Sequence, residues 1–106
     1  MKVVIAMDCD GTVDVSAGPI PLDMVRALAQ RHTVFCIGSR TLVNFVSLPW
    51  DQHPTKSAAL ARWRLVPADR YIVVDDTPAQ YSTGWAGWEF FDPLTFRDKV
   101  APGLLE

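Results

Sequence analysis

The sequence predicts an α/β domain built on a short, mostly parallel sheet of about four strands. Three observations carry this reading. Continuous apolar runs occur at residues 3–7 (Val-Val-Ile-Ala-Met), 33–37 (Thr-Val-Phe-Cys-Ile) and 71–74 (Tyr-Ile-Val-Val). Such runs belong to strands covered on both faces. Segments of helical spacing separate them, so strands and helices alternate along the chain. Each run also leads directly into polar residues, and ligands of open α/β sheets bind beyond the carboxyl ends of the strands.

The elements follow in order. Residues 13–19 hold Gly18 and Pro19 and read as a loop. From Pro21 to about Arg31 the pattern is helical: Pro21 suits the first helical position, Asp23 the first turn and Arg31 the last, with Leu22, Val25 and Leu28 on one face. Leu42, Phe45 and Val46 suggest a short helix that stops before Pro49, and residues 50–54 read as loop. Thr55 is an N-cap for a helix from Lys56 to about Arg64, with Leu60 and Trp63 inward. Residues 77–87 carry Pro78, Gly84 and Gly87 and read as a long loop. Residues 88–91 form a fourth strand, and beyond Pro93 at most a short helix is expected.

A chain of 106 residues holds one domain, spanning 1–106. It is 49% hydrophobic and 21% charged, which excludes a disordered tail. Ten basic against twelve acidic residues give a net charge of −2, which argues against nucleic-acid or anionic-membrane binding driven by net charge. No apolar run approaches the roughly 20 residues that span a bilayer. The N-terminal apolar stretch runs into Asp8, unlike a signal peptide, so the expected location is cytoplasmic. Cys9 and Cys36 sit in apolar strand contexts without a CxxC and read as buried free thiols.

The chemistry gathers after the strands. Asp8-Cys9-Asp10-Gly11-Thr12 follows the first, Gly38-Ser39-Arg40 the second and Asp75-Asp76-Thr77-Pro78 the third. A lone Asp at a strand end caps a turn. Two acidic pairs, each after a buried run, gather too much charge for capping alone. Two unit charges about 4 Å apart cost about 4 kcal/mol at an effective dielectric of 20. A hard divalent cation with oxygen ligands, Mg²⁺ above all, relieves that repulsion.

These residues resemble the haloacid dehalogenase (HAD) superfamily, most of whose members are Mg²⁺-dependent phosphatases. Asp8-Cys9-Asp10-Gly11-Thr12-Val13 is similar to its DxDGT signature, Ser39 to its second motif, Lys56 to its third, and Asp75-Asp76 to its acidic fourth. All four occur in the family's order. The first and fourth are fairly specific; the single Ser and Lys gain weight from order and context. The resemblance implies a three-layer Rossmann-like core and a phosphomonoester hydrolase. Asp8 would be the nucleophile forming an aspartyl-phosphate. Asp10 would be the general acid and then the base. Mg²⁺ would sit on the Asp8 carboxylate, the Asp10 backbone carbonyl and Asp76, with Asp75 a second ligand or an orienting group. The family pattern favours Asp76 as the direct ligand. Gly11 would let the backbone approach the phosphate, Ser39 would bond a phosphoryl oxygen, and Lys56 would neutralise phosphoryl charge.

Local readings stand beside these roles: Ser39 as an N-cap and Lys56 as an exposed lysine; Arg40, directly after Ser39, reads either as a group that reaches substrate or as a surface arginine. Neither the stretch from Thr12 to Pro21 nor that from Ser39 to Lys56 can hold a folded cap domain, and no clear extra strand lies in the second. A capless site implies a large or exposed phosphorylated substrate (a phosphoprotein or a nucleic-acid end, with small molecules open) or cover from a second subunit, as in a homodimer. Trp50, His53, Tyr81, Trp85 and Trp88 lie in or beside loops and either rim the site or pack. The long loop at residues 77–87 is the expected specificity element. Two other classes fit less well: a non-catalytic HAD-like binding or scaffold domain, and a phospho-acceptor signalling module resembling response-regulator receivers, whose motif order differs.

Overall fold

The computed structural model of the protein describes residues 1–51, 55–77 and 87–106. Four strands form one all-parallel sheet in the order β2-β1-β3-β4: β1 is Val3–Met7, β2 Thr33–Cys36, β3 Arg70–Val74 and β4 Glu89–Phe91. β1 is central and wholly buried. Its alternation sends Val3, Ile5 and Met7 to one face and Val4 and Ala6 to the other. A strand that fills two cores needs apolar residues at every position, which explains the continuous run.

The two faces are covered by different helices. α1 (Leu22–Arg31) buries Val25 and Leu28 in the first core, and α2 (Lys56–Trp63) buries Ala59 and Leu60 in the second. β1 to β2 and β2 to β3 cross in opposite directions and on opposite faces, so both crossovers have the same hand. The result is three layers, helix on sheet on helix. On the α2 face, Trp63 stacks on Phe35 with centroids 4.3 Å apart, and Trp88 meets Phe35 and Tyr71 edge-on.

Helix ends follow their caps. Ala58 N–H donates to Thr55 Oγ1, the N-cap expected from sequence. Pro21 precedes α1 in an extended conformation instead of opening it. The loop after β1 contains a 3₁₀ turn at Asp14–Ser16, and Val13 bridges Ile20. The expected helix around Leu42 is a 3₁₀ turn, Arg40–Asn44: Leu42 and Val46 are buried and Phe45 is exposed. An extra strand is reduced to one parallel bridge, Cys36 to Trp50.

The C-terminal region is more helical than the sequence suggests. α3 (Pro93–Thr95), a π-helical turn (Phe96–Val100) and α4 (Ala101–Leu104) run on without a break. Asp92 caps the start by accepting from Thr95 N–H at 3.1 Å. Pro102 and Gly103 read as breakers. However, Phe96, Ala101 and Leu104 are buried in the first core, and that burial outweighs propensity. Ala101 N–H donates to Phe96 O, five residues back, one residue ahead of Pro102, which has no N–H to continue the ladder.

Cys9 and Cys36 are free and buried, as expected. Among the described residues no helix is long and apolar enough to cross a membrane. His53, Pro78, Tyr81, Gly84 and Trp85, and most of the expected specificity loop, lie outside the described residues.

Candidate active site

Strand register assembles the site. Met7 pairs with Cys36 on one side and Val74 on the other, so the residues beyond all three strands emerge at one level. This is the edge where winding reverses, because β2 and β3 flank β1. Asp8 N–H donates to Val74 O at 3.0 Å and Asp75 N–H to Phe91 O at 3.2 Å, extending the ladder into both acidic segments.

Oxygen atoms of Asp8, Asp75 and Asp76 lie within 4.8 Å of one another. Asp8 and Asp75 are buried and Asp76 is exposed. Lys56, at the first position of α2, reaches between the two buried carboxylates: Nζ is 2.9 Å from Asp75 Oδ2 and 3.4 Å from Asp8 Oδ1. The exposed-lysine reading therefore fails. Thr12 Oγ1 donates to Asp8 Oδ2 at 3.2 Å, and Thr77 donates from both N–H and Oγ1 to Asp75 Oδ1 at 3.0 Å.

The electrostatics follow. Burial, then the charge of Asp75, push the Asp8 carboxyl up to about 6, against the pull of Lys56. Asp76 is also raised, by desolvation and then by its neighbour Asp75. For Lys56, burial disfavours the ammonium, but its bonds to Asp75 and Asp8 outweigh burial and raise its pKa. Three carboxylates against one ammonium leave a double negative charge when all are ionised.

That donor set fits a hard divalent cation. It is all oxygen, and the two thiols are buried in the apolar core. Gly11 completes the cradle: at φ +72°, an added Cβ would fall 2.2 Å from Asp76 Oδ2. Only glycine allows this approach.

The other expected residues are placed less tightly. The Asp10 carboxylate is exposed, stands outside the triad, and accepts from Ser16 Oγ at 2.6 Å. Gly11 N–H donates to Ser16 O, inside the loop. Ser39 caps the 3₁₀ turn, its Oγ accepting from Thr41 N–H at 3.2 Å, so the capping reading holds for it. Trp88 is buried packing, and Trp50 is exposed.

Sequence reasoning missed Gly38, Ser16 and Thr77 as site-builders. Gly38, at φ +96°, presses on the site so closely that an added Cβ would lie 2.8 Å from Asp8 Oδ1 and 3.4 Å from Lys56 Cε. A glycine directly after a buried strand was the available signal. Thr77 stands two residues after Asp75, the spacing of an Asx-turn, whereas nothing in the spacing of Ser16 announced Asp10 as its partner.

The fold and the cluster define a parallel α/β protein with an acidic, lysine-bridged site at the switch point of its sheet. Comparison with protein-family models, curated proteins and solved structures found no match.

Proposed function

We propose that this protein is a Mg²⁺-dependent phosphomonoester hydrolase of the HAD type that works through an aspartyl-phosphate on Asp8. One observation carries the reading. The motif residues Asp8, Asp75 and Asp76, far apart in sequence, converge within 4.8 Å, and the motif lysine, Lys56, bonds two of them. Convergence of residues picked for their motif order is what a HAD-type site requires.

Asp8, Asp76 and Asp75 would hold Mg²⁺, with the Asp10 backbone carbonyl as the family pattern implies. Bound there, Mg²⁺ supplies positive charge that admits a phosphate dianion beside carboxylates. Asp8 attacks phosphorus in line, forming the Asp–O–P bond as the bond to the ester oxygen breaks. Asp10 gives its proton to that departing oxygen. It then takes a proton from the water that attacks phosphorus, which releases inorganic phosphate and restores the Asp8 carboxylate. The Ser16 hydroxyl fixes the orientation of Asp10. Thr12 and Lys56 hold the two oxygens of Asp8, and Lys56 faces the developing phosphoryl charge.

The stretches after Thr12 and after Ser39 carry short 3₁₀ turns among the described residues, which favours an uncapped site open to a large or exposed phosphorylated substrate. Two free buried thiols fit a reducing compartment, the cytoplasm.

The test is hydrolysis of p-nitrophenyl phosphate with and without Mg²⁺. Turnover should require Mg²⁺, and Asp8→Asn and Asp10→Asn should each lower kcat by at least about a thousandfold while keeping the wild-type circular dichroism. Full activity in Asp8→Asn would exclude the mechanism. A long-lived phosphoprotein without turnover would instead favour an acceptor module, and Mg²⁺ binding without either would favour a binding domain.

A further inference from the structure

Arg40 and Trp50 form a second feature on the same rim that the hydrolytic chemistry does not use. The Arg40 guanidinium carbon lies 5.0 Å from the centre of the Trp50 ring. Trp50 is fixed as a platform: its Nε1–H donates to Gly38 O at 2.8 Å, and its backbone bridges Cys36 at the edge of the sheet. Flanking bonds lock that bridge, with Cys36 N–H donating to Pro49 O at 2.7 Å and Asp51 N–H to Cys36 O at 2.9 Å.

A cation–π contact with the ring need not use the N–H donors of a guanidinium, and Arg40 is exposed. Among the described residues no carboxylate pairs with Arg40, and residues 52–54 and 78–86 contain no Asp or Glu. Position gives the exposed cation its meaning. Gly38, two residues before Arg40, lies against Asp8 Oδ1 and Lys56. Two trans peptide units span at most about 7.6 Å between Cα atoms, so the Arg40 backbone lies within about 12 Å of the Asp8 carboxylate. A divalent cation and Lys56 together only balance the three carboxylates of the site. A second negative group on a substrate needs its own cation, and Arg40 is placed to be that cation.

We propose that Arg40, held on Trp50, is a subsite for a second anionic group next to the scissile phosphate. The preferred substrate is then a phosphomonoester that also carries a carboxylate or further phosphate. This rests on the hydrolase reading above. Arg40 is a specificity-determining residue and Trp50 a positioning residue.

The probes are 4-carboxyphenyl phosphate and its neutral near-isostere 4-carbamoylphenyl phosphate, assayed with Mg²⁺ on wild type, Arg40→Gln and Trp50→Leu. Wild type should favour the carboxylate ester in kcat/KM by about fivefold, as a charge-assisted contact at a partly exposed site allows. Arg40→Gln should bring the ratio to one or below, Trp50→Leu should lower it partway, and added salt should shrink it in wild type only. An equal ratio in wild type and Arg40→Gln overturns the subsite and leaves the hydrolase standing. Hydrolysis of neither ester by folded wild type overturns the hydrolase reading, and the subsite with it.

Discussion

The Asp8 carboxyl, pushed up to about 6 by burial and by Asp75, ties the site to pH. Its folded-state pKa lies above the ordinary value of 3.8, so the protonated form is favoured by folding. The stability this gives is fully present below about pH 4 and is lost as pH rises through about 6. Mg²⁺ needs the ionised form. The rise in Tm caused by Mg²⁺ should therefore be small near pH 5 and grow to a plateau above about pH 7. A Mg²⁺ shift that stays constant across that window would contradict the carboxylate assignment. Lys56→Met removes the ammonium between Asp8 and Asp75 and should cost about 1–3 kcal/mol at neutral pH in metal-free protein, less near pH 5, read from urea melts. The cluster was legible in the sequence in part: Asp8, Asp75, Asp76 and Lys56 converge and Gly11 lies against Asp76, while the Asp10 carboxylate stands outside. Of the holding contacts, Gly38 after a buried strand and Thr77 two residues past Asp75 carried local signals, whereas Ser16 meets Asp10 through a loop conformation that a one-dimensional pattern does not carry.

β1, β2 and β3 were legible because burial on both faces demands an apolar run; β4, an edge strand with Glu89 exposed, was not marked that way, and all four bounds differ by a residue at most. β2 ends at Cys36, not Ile37, and β4 begins at Glu89, leaving Trp88 to pack against Tyr71 and Phe35. α2 was legible from Thr55. The C-terminal helix was not, since Pro102 and Gly103 signal a break and only the buried side chains of Phe96, Ala101 and Leu104 hold the turn together. The short segment after Ser39 carried too few apolar residues to tell a 3₁₀ turn from an α-helix. Phe35 tests the packing that sets α2, and with it Lys56, against the sheet. It is fully buried and stacked on Trp63. Phe35→Ala should destabilise by about 3–5 kcal/mol in chemical denaturation. A loss under 1 kcal/mol would mean that this core does not position α2.

At the scale of the molecule, the order β2-β1-β3-β4 brings residues from three separate sequence segments, Asp8, Lys56 and Asp75-Asp76, into one cluster. The switch point between β2 and β3 opens the carboxyl end of β1, and Asp8 is the first residue beyond it. Strand alternation announced a mostly parallel sheet of about four strands but not their order, which one-handed crossovers narrow without fixing. The neighbouring loops were beyond such inference, because no periodicity constrains them. In the proposed reaction Asp8 is the nucleophile that accepts the phosphoryl group. That role is tested most directly by quenching Mg²⁺-loaded Asp10→Asn in acid during reaction with p-nitrophenyl phosphate and mapping the adduct by peptide mass spectrometry. Asp10→Asn slows the water step, so the account predicts one phosphoryl group on the peptide containing Asp8, absent in the Asp8→Asn/Asp10→Asn double variant. Mg²⁺-dependent release of p-nitrophenol by wild type, with no phosphorylated peptide or with the phosphoryl group on another residue, would contradict it.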